Sequence, residues 1–295
     1  MYSFGQGAEA DPGEAGILYR RAAEAGCIAA ALSLGALYAQ GKGVGQNFSE
    51  SLKWYQKAAS AGDPEAAFRL GTMYANGQGT EIDLAQAALY FEIAARKGHV
   101  QAKRYLGHIH VDMMNTASDP NSHLCTAADW YIRAALAGDA EAVSEIWRQY
   151  ERLLGLADAG LPAAQFTLGW IWEQGFGKTI DLAKAIRYYQ AAAKQKHPGA
   201  LHHLGNLYRD EQGAVLLGKS SSQTENAMIE CYRQAAELGD ADSQHNLGFA
   251  YAAGIGVETN LDVSITWFRK AAEQGRAASQ TDLAMQLFQR AEHGD

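Results

Sequence analysis

The amino-acid sequence predicts an all-α protein. It reads as a right-handed α–α superhelix, or solenoid, of about seven helix-pair repeats of period 36, with a half-repeat at each end. Three observations predict it. Leu-Gly recurs at 34–35, 70–71, 106–107, 168–169, 204–205 and 247–248, several of these 36 residues apart, and Leu283-Ala284 follows the last by another 36. Aromatic pairs stand at Trp54-Tyr55, Tyr90-Phe91, Trp130-Tyr131, Tyr188-Tyr189 and Trp267-Phe268, each with Ala-Ala four residues after its first ring; Cys231-Tyr232 is a weaker copy. Gly-x-Gly at 41–43, 77–79, 175–177 and 254–256 separates the two signatures.

The elements follow in order. Residues 1–13 are expected to be a flexible N-terminus, and residues 14–26 a lone second helix of a pair, helix B. The Leu-Gly segments form helix A, with Ala, Leu, Gly and Tyr at helical spacing and the glycine at a point of close approach between helices. Gly-x-Gly ends helix A. Four residues after its second glycine stand Asn47, Asp83, Asp181 and Asn260, whose side-chain oxygens suit the orphan N–H groups at the start of helix B. Helix B runs to Ala-Ala-x-x-Gly, where Gly62, Gly98, Gly138, Gly239 and Gly275 permit a left-handed C-terminal turn; Lys196 breaks the rule. Neither helix buries its apolar side alone, so residues 14–295 are expected to stack as one solenoid. The unit at 140–161 is irregular: it has 22 residues, Ile146-Trp147 replaces Leu-Gly, and the turn is missing. It is expected to form a shortened helix pair or one longer helix. The turns at 112–123 and 211–225 carry four and seven extra residues, and residues 277–290 form a lone helix A.

Composition excludes several functions. Lys and Arg number 25 against 33 Asp and Glu, a net charge of −8 without any basic run. That disfavours nucleic acid and anionic membrane, which need clustered cations to displace counterions. No window approaches eighteen apolar residues, so no membrane span is expected. The first residues lack a positive start and an apolar stretch, which predicts a cytoplasmic protein, or a periplasmic one whose signal peptide has been removed. Cys27, Cys125 and Cys231 lie far apart without metal-ligand spacing and are read as small buried apolar residues. Nine histidines invite a metal reading, but His202 and His203 diverge around a helix, as do His108 and His110. A zinc site needs three or four converging ligands, so no metal or other cofactor is expected.

The stretch GFGKTID at 175–181 resembles the tail of a phosphate-binding loop. Such a loop needs Gly-x-x-x-x-Gly-Lys-Ser/Thr after a β-strand, but the first glycine position holds Trp172 and the preceding segment is helix A. The Asp181 carboxylate would compete with a phosphate for the same N–H groups. GFGKTID also aligns with GQGTEID at 77–83, so it is read as a repeat turn.

The segments AAFRLGTMYANGQGTEIDLAQAALYFEIAARKGH (66–99) and SQHNLGFAYAAGIGVETNLDVSITWFRKAAEQGR (243–276) resemble the Sel-one-like repeat family, a relative of the tetratricopeptide repeats. The resemblance covers the chain from about residue 14 nearly to the end. It implies a non-catalytic scaffold or adaptor that holds another protein in a concave groove lined by helix A. An immunity-type inhibitor that occludes a toxin or effector enzyme, or a homo-oligomeric spacer, are alternatives; a signalling protein is a further kind of partner. An exposed aromatic patch near Tyr19 or Phe288 would favour the spacer.

Two rows of helix A are expected to face the groove. Two residues before the motif leucine stand Leu32, Phe68, Arg104, Phe166, His202 and His245. Two residues after it stand Ala36, Thr72, His108, Trp170, Asn206 and Phe249. Aromatic and Arg side chains dominate interface energetics, which singles out Phe166, Trp170 and Arg209, the last just after Tyr208. For the phenylalanines, packing against a neighbouring helix is the alternative.

Overall fold

A computed structural model describes residues 11–218 and 221–293; the start of the expected flexible segment, residues 1–10, lies outside them. The described residues form helices and turns, without a strand. Packing divides the chain into two units, Met1–Gln149 and Tyr150–Asp295. The first holds α1 (Pro12–Glu24), α2 (Ile28–Gln40), α3 (Phe48–Ser60), α4 (Pro64–Asn76), α5 (Leu84–Arg96), α6 (Val100–Met113), α7 (Pro120–Leu136) and the beginning of α8 (Ala140–Asp158). The second holds the rest of α8, then α9 (Pro162–Gln174), α10 (Leu182–Lys194), α11 (Pro198–Arg209), α12 (Glu211–Leu216), α13 (Ser221–Glu237), α14 (Ala241–Ala253), α15 (Leu261–Glu273) and α16 (Ala277–His293). Helix A is α2, α4, α6, α9, α11, α14 and α16; α1, α3, α5, α7, α10, α13 and α15 are helix B.

The caps stand where the spacing puts them. Asn47, Asp83, Asp181 and Asn260 each accept an N–H three residues on, at 2.9–3.0 Å. Each also returns its own N–H to the carbonyl of the ring four residues after the motif leucine: Tyr38, Tyr74, Trp172 and Tyr251. The second glycine of the turn has two reasons to be glycine. Gly43 and Gly79 have φ of 70° and 76°, and a Cβ there would lie 2.1 Å from the backbone of Pro12 and 2.7 Å from that of Phe48. Lys196, which replaces a C-terminal glycine, is forced to φ 58°. The first helix starts at Pro12, two residues before the pattern begins, because Asp11 caps it.

The core follows from one contact made in every regular pair. The second ring of each aromatic pair lies on the glycine of Leu-Gly in the preceding helix A. A Cβ would stand 2.7 Å from the Tyr55 ring at Gly35, 2.7 Å from Phe91 at Gly71, 2.3 Å from Tyr131 at Gly107, 2.6 Å from Tyr189 at Gly169, 2.5 Å from Tyr232 at Gly205 and 2.9 Å from Phe268 at Gly248. All six rings are buried. The first ring of the pair is half-buried, and a cation three residues on covers it in several repeats: Lys57 over Trp54, Arg133 over Trp130, Lys270 over Trp267.

The irregular segment 140–158 is one helix of 19 residues, α8, with Ile146 fully buried. The enlarged turn at 211–225 is partly helical, since Asp210 caps the short α12. Of the cysteines expected to be buried, Cys125 is buried and Cys231 half-buried, but Cys27 is exposed, because it sits at the end of the α1–α2 turn.

Candidate functional site

Side chains of a helix lean toward its amino end. Alternate helices in each stack run parallel, so the row two residues before the motif leucine leans toward the amino end of the next helix A. Phe68 stacks on His99, the cap of α6, with centroids 4.4 Å apart, and Phe166 stacks on His197, the cap of α11, at 4.7 Å. Arg104 donates to Asp139 at 2.9 Å and pairs with Glu141 at 2.8 Å, while Asp139 caps α8. His202 Nδ1 lies 2.9 Å from Ser243 Oγ and 3.3 Å from Asp240, the cap of α14. His245 Nδ1 lies 3.0 Å from Ser279 Oγ in α16. The pairs are chemically matched: a phenyl ring meets a histidine cap, and a basic side chain meets a carboxylate or hydroxyl. For Phe68 this corrects the expectation of a place in the groove, while Leu32 of the same row lines the cleft between α2 and α4. Phe68 is buried at 5% exposure, and the other four tie one repeat to the next.

These ties shape the titration of the caps. Burial pushes the His197 imidazole below its ordinary 6.5. The neutral ring accepts the Ala200 N–H on Nδ1 at 3.3 Å, a bond the protonated ring cannot make. Burial opposes ionisation of Asp240, but hydrogen bonds from His202 and Ser243 outweigh it and hold the carboxyl below its ordinary range.

The row two residues after the leucine is more open. Thr72 bonds the Phe68 carbonyl at 3.1 Å, and His108 lies 3.1 Å from the Tyr131 hydroxyl, its pKa pushed down chiefly by burial. Asn206 sits between the Tyr232 hydroxyl at 2.8 Å and His202 Nε2 at 3.0 Å. Trp170 is half-buried, 5.8 Å from Phe166 and 5.7 Å from His203. Phe249 is 54% exposed. Arg209 is exposed at the end of α11 and has no ion-pair partner among the described residues.

A third row, not singled out in the sequence, stands at the clefts between successive A helices. It is the residue immediately before the motif leucine. Other hollows, of about 750 Å³ beside residues 178–184 and about 470 Å³ beside Asp158 and Tyr188, lie away from this row. At Tyr105 a ring fills the cleft between α4 and α6, 5.1 Å from Phe68 and 5.5 Å from Phe91. At His203 a ring fills the cleft between α9 and α11, 5.0 Å from Tyr189, with Nδ1 2.8 Å from Glu173. Tyr189 donates to the same carboxylate at 2.7 Å. Burial opposes ionisation of Glu173, yet these bonds prevail and keep its pKa below the usual 4.5.

Where that row holds Arg69 or Asn246, the cleft stays open. In the first unit, α2, α3 and α4 enclose about 430 Å³ over Tyr55 and Met73, and Arg69 there is paired with Glu65 at 2.6 Å. In the second, α11, α13 and α14 enclose about 150 Å³. Buried Met228, Tyr232 and Ala250 form its floor, Phe249 and Ile255 its walls, and Arg209 and Asn246 its rim. The two clefts are the same place in two repeats: Tyr55 corresponds to Tyr232, Thr72 to Phe249, Met73 to Ala250 and Gln78 to Ile255. The sequence signal for them is the non-aromatic Arg69 or Asn246 where Tyr105 and His203 stand in other repeats.

The GFGKT stretch shares the cap bonds of the repeat turns, with Asp181 on the Lys184 N–H at 2.9 Å and its own N–H on the Trp172 carbonyl at 3.0 Å. Its backbone departs from theirs: Gly175 lies outside the left-handed helical region that Gly41, Gly77 and Gly254 adopt, Phe176 has φ 32°, and the Lys178 N–H bonds the Gly175 carbonyl at 2.8 Å. Among the described residues no group of three His, Cys, Asp or Glu is gathered for a metal ion, and no helix is long and apolar enough to cross a membrane.

The Sel1 repeat model matches residues 1–27, 28–63, 64–99, 119–139, 162–197, 229–240 and 241–275. The chain belongs to the Sel1 repeat family. Sel1 repeat proteins generally mediate protein–protein interaction. The chain is 30% identical over 129 residues to Chitin synthase regulatory factor 3 of Schizosaccharomyces pombe, covering 43% of this chain and 13% of that one. It is 27% identical over 156 residues to DAP3-binding cell death enhancer 1 of Rattus norvegicus, covering 43% and 31%. It thus spans a third or less of the length of these curated relatives. Among solved structures it is similar to a protective antigen present in uropathogenic Escherichia coli strains, which displays an SLR fold: 27% identity over 96% of this chain and 69% of that one, TM-score 0.48.

Proposed function

We propose that this Sel1 repeat protein is a non-catalytic scaffold whose helix A side binds a partner protein. The observation that carries the reading is Phe249, a phenyl ring 54% exposed at the mouth of an open cleft between successive A helices. A large ring left in water on a concave feature is the kind of anchor that dominates interface energy. The regulatory names of the relatives support a partner that is itself regulated rather than a small substrate. Among the helix A residues, Trp170, Arg209 and Phe249 are assigned to the contact. Asn206 is assigned to its edge, and Phe68, Arg104, Phe166, His202 and His245 to holding the repeats together within each unit. His108, in the first unit against Tyr131, is not assigned to the contact.

A photo-crosslinking phenylalanine analogue at position 249, in the native host, tests this. A discrete adduct with another protein is expected at 249 and not at position 82, where Ile82 is 66% exposed on a turn. Equal labelling at both, or none at 249, refutes the reading. A second reading, self-association, is favoured by Phe288, 63% exposed on α16. It predicts that Phe288→Ser shifts the molecular mass in solution.

A further inference from the structure

The cleft between α11, α13 and α14 also specifies what kind of segment fits it. Its floor and walls are apolar, and about 150 Å³ is room for one aliphatic or phenyl side chain. Its rim carries Arg209, an exposed cation without an ion-pair partner among the described residues. The adjacent Asp210 is committed to the α12 cap, accepting the Gly213 N–H at 3.0 Å. The corresponding cleft in the first unit differs on both counts: its arginine, Arg69, is already neutralised by Glu65 at 2.6 Å, and Thr72 stands where Phe249 does. In the repeats with Tyr105 or His203 before the leucine, the protein's own ring packs at that place.

We infer that this cleft receives a peptide segment of the partner in which one apolar side chain, the size of Leu, Met or Phe, is flanked by a carboxylate. The apolar group replaces the filling ring of the closed repeats and covers Phe249 and Ile255. The carboxylate meets the Arg209 guanidinium, whose planar fork takes it in two parallel hydrogen bonds. Asn246 faces the peptide backbone at the same rim. The inference rests on the scaffold reading and deepens it.

The test uses the full chain and a random dodecapeptide library displayed on phage, followed by fluorescence polarisation with the most enriched peptide made synthetically. Enriched peptides are expected to share an apolar residue next to Asp or Glu. Arg209→Glu should weaken that peptide about ten-fold or more, the factor a charge-assisted hydrogen bond supplies. A peptide with Lys in place of its acidic residue should recover binding to that variant. Asn246→Tyr should abolish binding by filling the cleft as Tyr105 does; Arg209 is exposed, so its variant tests the inference even where the tyrosine perturbs packing. No enrichment, enrichment of basic peptides, or variants that all bind within about two-fold of the original overturns the inference. If the crosslinker at 249 still captures a protein in that event, the scaffold reading stands and only the peptide cleft falls; if it captures none, both fall.

Discussion

Replacing Gly107 by alanine tests the contact that organises every regular repeat. The new Cβ would lie 2.3 Å from Tyr131 Cε1, 2.6 Å from Cδ1 and 2.7 Å from Cζ. The ring is fully buried and cannot swing into solvent. Overpacking of this kind costs about 1–3 kcal/mol, and this approach, the shortest of the six, sits at the upper end. Alanine returns about 1 kcal/mol through its better helix propensity. The net loss is about 2 kcal/mol, or a fall of about 4–8 °C in melting temperature for a unit of this size. Gly155→Ala is the matched control. Gly155 also lies inside a helix, but nothing stands within 4 Å of its Cβ position, so only the propensity gain applies and the protein should melt a few degrees higher. Thermal unfolding followed by far-UV circular dichroism, with urea midpoints alongside, reads both. Shortening the ring should relieve the clash, so Gly107→Ala with Tyr131→Leu should lose less than the sum of the single losses. If Gly107→Ala melts at or above the original temperature, or both alanines shift it the same way, the ring-on-glycine account is wrong.

Phe68→Ala should lower stability by about 3–5 kcal/mol, and leave binding at the second-unit cleft unchanged; loss of binding without loss of stability would restore it to the contact surface. Arg104→Met leaves Asp139, whose side chain is 7% exposed, with its two cap N–H bonds but without its cation, and should cost about 1.5–3 kcal/mol in urea unfolding. His197 and Glu173 both have folded pKa values below their ordinary 6.5 and 4.5. Each therefore contributes stability that is present above the ordinary value and lost as pH falls through the folded one. Melting temperature should decline first below about pH 6.5, a step that His108, His110 and His245 share with His197 and that His197→Asn makes smaller, and again below about pH 4.5, a step that Glu173→Gln makes smaller; a melting temperature that rises on acidification would contradict both assignments. Millimolar magnesium–ATP should leave the melting temperature unchanged, since a ligand at a hundred times its Kd would add about 2.7 kcal/mol, and an upward shift would reopen the GFGKT turn as a phosphate site.

Much of the architecture is legible residue by residue. Asn47, Asp83, Asp181 and Asn260 cap because a short polar side chain bonding three residues ahead is a local geometry. The Gly-x-Gly turns at 41–43, 77–79 and 254–256 are legible for the same reason. The site was less legible. Helical periodicity says which residues share a row, and the row of Phe68, Arg104, Phe166, His202 and His245 is real. It does not say what stands opposite. Those side chains meet His99, Asp139, His197, Asp240 and Ser279, some 31 to 38 residues further on, and only the stacking of one repeat on the next brings each pair together.

The sequence by itself determined the repeat, the family and the helices of the regular pairs, because caps, turn glycines and apolar spacing act within one or two helical turns; the single long α8 and the short α12 came from the structure. The tertiary structure decided which of the surface rows is occupied by the protein itself. Whether a cleft between neighbouring A helices is closed by Tyr105 or His203, or left open beside Asn246 and Phe249, depends on the volume three helices leave between them. Volume between packed elements is a property of the stack, and no single repeat carries it.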